Sequence, residues 1–202
     1  MGTLRLLTIM CALLGATESF AGFDVQALVG YGRTRYTLDF ERLNTETNNA
    51  YGGLVGTVSA HVNYKQIPIA LGLTFDYTTQ DMTNSSDTTL GEDLSGYELG
   101  AEIYAWLPIG KMSSIYFKFG YVFMGQYQLG FDVFDVDYVP EGLLVHGGFK
   151  IGFTNNVGLL IEGGVPSTGI TEAKRDGEDL KVKKEFKKVT RWDVKVGLQY
   201  GI

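Results

Sequence analysis

Nine residues of the chain have the types and spacing to do chemistry together. Glu98, Glu102, Lys118, Lys150, Glu162, Asp193 and Lys195, with His61 and His146, all fall on the polar side of segments whose alternate residues are apolar. Carboxylates, ammonium groups and imidazoles on one face serve three kinds of chemistry: a buried salt-bridge network, the charged constriction of a narrow pore, or acid–base catalysis with a nucleophile. The third requires a nucleophile, its base and a group orienting that base, all within hydrogen-bond reach. His146 is followed by Gly147 and Gly148 and has no serine nearby on its strand face. His61 has Ser59 on its face, but nothing there marks a triad. A salt-bridge and hydrogen-bond network is therefore the expected role, because isolated buried charges are very expensive.

These residues are positioned by segments with a period of two, which marks strands. The last segment is the plainest. Trp192, Val194, Val196, Leu198, Tyr200 and Ile202 alternate with Asp193, Lys195, Gly197, Gln199 and Gly201. Seven earlier segments share the pattern, on faces led by Phe23, Leu54, Ile67, Tyr97, Ile115, Leu143 and Val157. Their connections alternate in length. Lys65-Gln66, Pro108-Ile109-Gly110-Lys111 and Thr154-Asn155-Asn156 are tight, whereas Glu41 to Ala50, Thr78 to Leu94, Gly125 to Glu141 and Pro166 to Lys188 are long and polar.

Composition narrows the class. The chain has 202 residues, a net charge of −6, 27 glycines and a single cysteine, Cys11. An acidic chain lacks the basic footprint of a nucleic-acid binder. One cysteine makes no intramolecular disulfide, and no Cys/His cluster has zinc spacing, so no cofactor or metal is expected. No apolar run is long enough for a transmembrane helix. Met1 to Arg5, the apolar stretch Leu6 to Ala16 and the small residues of Ser19-Phe20-Ala21 predict a secretory signal over 1–21, with a mature domain over 22–202.

Volume decides which face is outside. The apolar faces hold far more large side chains than an eight-stranded interior, which is only just wide enough to be filled. The opposite faces carry Gly30, Gly72, Gly100, Gly120, Gly148, Gly152, Gly158, Gly164 and Gly197, as a crowded lumen requires. Tyr31, Tyr51, Tyr77, Tyr97, Phe123 and Trp192 are expected to form an aromatic girdle on the loop side, with Tyr64 and Tyr200 near the other rim. The prediction is an all-β, eight-stranded antiparallel up-and-down transmembrane β-barrel with short periplasmic turns and long extracellular loops.

Signal, eight strands, alternating turns and an amphipathic last strand resemble the small outer-membrane β-barrel family of the OmpX/Ail type and of the OmpA transmembrane domain. Members usually end on an aromatic residue read by the barrel-assembly machinery, whereas here Tyr200 is third from the end and Ile202 is last. The resemblance implies a monomer in the outer membrane of a Gram-negative-type bacterium. It also implies roles in envelope integrity and in surface contact through the loops. A narrow solute channel and a lipid A-modifying enzyme are the rivals.

Turn geometry gives expected pairings. A turn near 109–110 sets Glu102 against Lys118, and a turn centred on Asn155 sets Lys150 one diagonal step from Glu162. In the last loop and the start of the strand after it, Lys174, Arg175, Lys181, Lys183, Lys184, Lys187, Lys188 and Arg191 form a cationic cluster suited to lipopolysaccharide phosphates. Phe131 to Tyr138 keeps the alternation and is expected to extend a hairpin, with Pro140-Glu141-Gly142 as a bulge. Its edge could take an extracellular protein partner by strand addition. Asp132, Asp135 and Asp137 in that hairpin are weak candidates for a hard cation.

Overall fold

Alternation of apolar and polar residues cannot be served by a helix, and the chain resolves it by pairing every strand with its neighbour. In the computed structural model, which describes residues 20–40, 45–64, 67–85, 93–131, 134–175, 177–179 and 186–201, there are ten strand segments. They are β1 (Phe20–Phe40), β2 (Thr45–Tyr64), β3 (Ile69–Ser85), β4 (Asp93–Pro108), β5 (Ser113–Phe131), β6 (Phe134–Gly152), β7 (Val157–Gly164), β8 (Ser167–Arg175), β9 (Glu178–Asp179) and β10 (Phe186–Gly201). The expected leader lies outside the described residues, except for Phe20 and Ala21, which begin β1.

All pairings are antiparallel. β1 to β7 pair in chain order, and β10 closes the ring between β7 and β1. The closed ring has eight staves, as the sequence implies. Its seventh stave is broken at Val165-Pro166 and resumes as β8, because proline has no N–H to give to a ladder. Closure removes the free edges that an open sheet would expose to lipid.

The strands are much taller than a membrane requires. β1 runs for 21 residues and β5 and β6 for 19 each, where about 9–11 tilted residues cross a bilayer. The connections read as long loops are therefore largely ladder. β1 and β2 pair as far as Phe40↔Thr45, and β5 and β6 as far as Phe131↔Phe134. The hairpin over 131–138 does extend as expected, and the register slips at Val139/Pro140 against β8. Gly142 there has a φ of 147°, a conformation costly for any residue with a Cβ. Most of the edge expected to be free on this hairpin is covered among the described residues: β4 pairs with β5 as far as Leu129, and β8 pairs with β6 from Val136 to Leu143.

The two levels of the barrel face opposite ways. In the lower level Phe23, Val29, Tyr31, Leu54, Val58, Phe75, Phe117, Phe119, Val194 and Leu198 point outward and stay exposed. Trp192 to Tyr200 is nine residues of such a face, one bilayer crossing. Tyr31, Tyr77, Tyr97, Phe123 and Trp192 top this band on the outside, with Tyr31 and Trp192 at 6.0 Å between ring centroids. Tyr51 departs from the expected girdle. It is fully buried and points inward, on the same alternation as Val55 and Thr57, and faces Met82 in the register that holds up to the slip at Ala50/Tyr51.

Above the girdle the apolar residues turn inside. Tyr36, Tyr51, Leu94, Tyr127, Leu129, Val136, Tyr138 and Ala173 form one buried cluster, with Met82, Ile170 and Val189 packed on it. Arg35, Asp81, Gln126, Gln128 and Asp135 take the outer face. The bulge at Leu99/Gly100, opposite Phe123, helps to make the exchange on β5.

Candidate functional site

The lower lumen is built from one or two inward positions on each of eight strands. Asp24 stands between outward Phe23 and Val25 on β1, and His61 between Ala60 and Val62 on β2. Asp76 stands between Phe75 and Tyr77 on β3. β4 supplies Glu98 and Glu102, β5 Lys118, β6 His146 and β7 Glu162, while β10 supplies Asp193 and Lys195. All are buried. Glycines make room for the larger rings. A Cβ on Gly72 would lie 3.0 Å from Cγ of His61, and one on Gly148 would lie 2.8 Å from Cζ of Tyr116.

The groups connect into one network. His61 sits between two carboxylates, with Nδ1 at 3.0 Å from Asp24 Oδ1 and Nε2 at 2.7 Å from Glu102 Oε1. Lys118 Nζ is 2.8 Å from Glu162 Oε2 and 3.9 Å from Glu102 Oε1. Tyr116 donates its hydroxyl to Glu162 Oε2 at 3.2 Å. Lys195 is the hub: its Nζ lies 3.2 Å from Glu162, 3.5 Å from Asp193 and 3.7 Å from Asp76, and donates to Thr57 Oγ1 at 3.0 Å. His146 Nε2 is 3.3 Å from Lys195 Nζ and 3.4 Å from Asp193 Oδ2. It accepts from the ammonium or donates to the carboxylate, and one nitrogen cannot do both in one protonation state. Higher up, Arg191 pairs with Glu98 and lies 5.5 Å over the Tyr127 ring.

Of the two expected pairings, one differs in register. Glu102 faces Gly120 rather than Lys118, and Lys118 faces Tyr104. The turn over 109–112 is wider than two residues and shifts the register by two, which preserves the inward face. Glu102 and Lys118 thus meet on a diagonal. Lys150 does sit one step from Glu162, since Gly148 faces Glu162 in register. It makes no hydrogen bond or ion pair to Glu162, however. The Tyr116 ring lies over Gly148, between the two, and Lys118 takes the carboxylate from the other side.

The expected basic cluster loses one member among the described residues. Arg191 is withdrawn into the barrel, its side chain 10% exposed against Glu98, and so leaves the cluster. Lys174 is exposed and lies 3.9 Å from Asp179, and Arg175 is half-buried. Lys181, Lys183 and Lys184 lie outside the described residues, as do the side chains of Lys187 and Lys188 on β10. Asp132 also lies outside them. Asp135 accepts from Gln128 at 3.1 Å, and no cluster able to hold a metal occurs among the described residues. The His61 ring nitrogens are both taken by carboxylates, and Ser59 Oγ is buried without a hydrogen-bond partner.

Asp24 and Asp76 were missed by sequence reasoning, though each lies in plain alternation between two outward apolar residues. Arg191 was missed as a lumen residue because its neighbours read as a charged loop.

No protein-family model and no curated protein matches the chain. Solved structures do. The chain is similar to Neisserial surface protein A (NspA), with a TM-score of 0.60 and 18% identity over 90% of this chain and 97% of that one. It is similar to the outer membrane protein OprG from Pseudomonas aeruginosa, with a TM-score of 0.57 and 12% identity over 91% and 97%. The outer membrane protease OmpT from Escherichia coli follows at a TM-score of 0.50 and 10% identity over 91% and 98%. With a closed ring of eight antiparallel staves, an apolar outer band and these likenesses, the chain has the fold of the small outer-membrane β-barrels.

Proposed function

We propose that the chain is an integral outer-membrane barrel with a plugged lumen, whose role is structural and whose outer wall carries surface contacts. The observation behind this reading is the burial of the lumen charges. Asp24, His61, Glu102, Lys118, Glu162 and Lys195 are each no more than 4% exposed. A conducting pore leaves its lining charges open to water. Two further layers flank the network: Tyr104, Tyr116, Leu28, Ala70 and Leu160 below it, and the Tyr36–Tyr51–Tyr127–Tyr138 cluster above.

The barrel has no enzymatic role in this reading, because neither histidine is paired with a nucleophile. Residues 1–21 direct export, and the barrel-assembly machinery inserts the domain as a monomer among outer-membrane lipids. The tall wall above the girdle, with Lys174, Arg175 and the 181–188 segment, meets lipopolysaccharide and any extracellular protein partner.

Planar-bilayer recording of the refolded chain tests the reading, with Glu102→Gln and Lys118→Met alongside. Silence from the wild type, with leakage or lower stability in the variants, is the expected result. Steady discrete currents from the wild type, with ion selectivity that shifts in the variants, would establish a channel instead.

A further inference from the structure

At the periplasmic mouth the inner wall opens into a recess of about 250 Å³. Trp106, Ser114 and Lys150 point into the barrel from β4, β5 and β6, and the turn residues Lys111 and Asn155, with Ser113 at the start of β5, complete the wall. Backbone hydrogen bonds tie its rim together. Ile109 N–H donates to Ser113 O at 3.0 Å, and Gly152 N–H donates to Met112 O at 2.6 Å. The recess is a dead end, since Trp106 stacks on Tyr104 at 5.3 Å and Tyr104 packs against Tyr116.

Lys150 is the odd cation of the lumen. Lys118, Lys195 and Arg191 each meet a carboxylate. Lys150 is half-buried and makes no hydrogen bond or ion pair to any described residue, Asp24 being the carboxylate that acts on it at longer range. Its stem lies along Gly158, where a Cβ would come within 3.0 Å of Cε, so the lysine is held against the wall. An ammonium fixed in a recess beside hydroxyl, amide and indole donors, with a second lysine at the rim, matches an oxyanion. We propose that this recess is a binding site for a phosphate-type oxyanion on the periplasmic side, with Lys150 as its principal ligand and Lys111, Ser113, Ser114 and Asn155 as secondary donors. The oxyanion is either a free periplasmic phosphate or the headgroup of a phospholipid in the inner leaflet.

The chain has two tryptophans, Trp106 in the recess and Trp192 at the far girdle. Trp192→Phe therefore leaves a single reporter. The refolded chain carrying that change is titrated with inorganic phosphate in uncharged maltoside micelles, against sodium chloride at equal ionic strength. A second arm replaces phosphate with micelles doped with phosphatidylglycerol. Both are repeated with Lys150→Met, Lys150→Arg and Lys111→Ser, each verified as folded by its heat-modifiable electrophoretic mobility.

A saturable shift in Trp106 emission with phosphate, weakened about tenfold or more in Lys150→Met and retained in Lys150→Arg, is expected for a free oxyanion. The same dependence on Lys150 in the lipid arm alone assigns the headgroup. Lys111→Ser, on an exposed turn, is expected to weaken binding by a few fold. No shift in either arm, a shift that chloride reproduces, or equal affinity in Lys150→Met overturns the site. If Lys150→Met does not fold, Lys111→Ser decides, and unchanged affinity there overturns the two-lysine site.

Discussion

The lower and upper levels of this barrel share eight staves and one backbone ladder, yet they are inside-out relative to each other. Below the girdle, Phe75 and Phe119 face out while Asp76 and Lys118 face in. Above it, Gln128 and Asp135 face out while Leu129, Val136 and Tyr138 face in. The strand geometry is the same, so the surroundings set the orientation. Hydrocarbon outside takes the apolar face, which leaves a narrow polar lumen that must satisfy its own charges. Water outside takes the polar face and drives the apolar one into the centre, as in a soluble barrel. The level at which the exchange occurs, around Tyr31, Tyr97, Phe123 and Trp192, marks the membrane boundary within the chain.

The two levels should also fail differently. The largest expected effect is in the lower one. Lys195→Met strands Asp76, Glu162 and Asp193 without their shared cation, and breaking a buried ion pair in this way costs about 3–5 kcal/mol. Urea titration of the folded chain in micelles should show an earlier midpoint and no intermediate. A midpoint equal to wild type would mean that the network contributes nothing to the lower ring.

Gly148→Ala comes next. The new methyl meets the Tyr116 ring and the Ile161 carbonyl, and such overpacking costs about 1–3 kcal/mol. The same titration measures it, and adding Tyr116→Leu should recover part of the loss.

In the upper level, Tyr36→Phe removes the hydroxyl contact with Tyr138 and should cost about 0.5–1.5 kcal/mol. Alkali acts on the same cluster. Burial pushes the Tyr51 phenol up to about 12 and holds Tyr36 and Tyr127 well above their usual range. A phenol whose pKa is raised by folding contributes stability that is intact below pH 10. That stability is lost as pH rises through the folded value. The upper strands should therefore loosen between about pH 10 and 12, with tyrosinate absorbance as the readout. Tyrosinate appearing fully at pH 10 would contradict a dry upper core.

The smallest effect concerns the seam. Above Asp193↔Gly164, β10 pairs with β1 alone among the described strands, and β8 leans on β6. Amides of β8 are expected to exchange with solvent faster than those of β7, because local opening follows the weaker ladder. Lys174→Ala, at an exposed ion pair, should change neither exchange nor midpoint.

Much of this was legible along the chain. The period of two, the three tight turns and the inward glycines fixed the number of staves and the outward face, because side-chain direction in a strand follows sequence position alone. Glu98, Glu102, Lys118, Glu162, Asp193 and Lys195 could be placed inside for the same reason. The height of the barrel was not legible, since above the girdle polar residues on the outer face read as loop. Tyr51 and Arg191 were misplaced because their neighbours at that boundary read as rim or loop. Each nevertheless keeps the parity of the inward residues below it, Val55 and Thr57 on β2 and Asp193 and Lys195 on β10. The inward parity changes on β5, at the bulge opposite Leu99/Gly100.

Which inward charge meets which was decided only in three dimensions. Sequence sets the face of each residue, and a turn sets the register of one hairpin. Partners across the lumen, such as Lys195 with Asp76 or Arg191 with Glu98, come from strands that meet only when the ring closes. Parity is a local property of the chain. The pairing of buried charges is a property of the closed barrel, and so the sequence determined the wall and the tertiary structure determined the network within it.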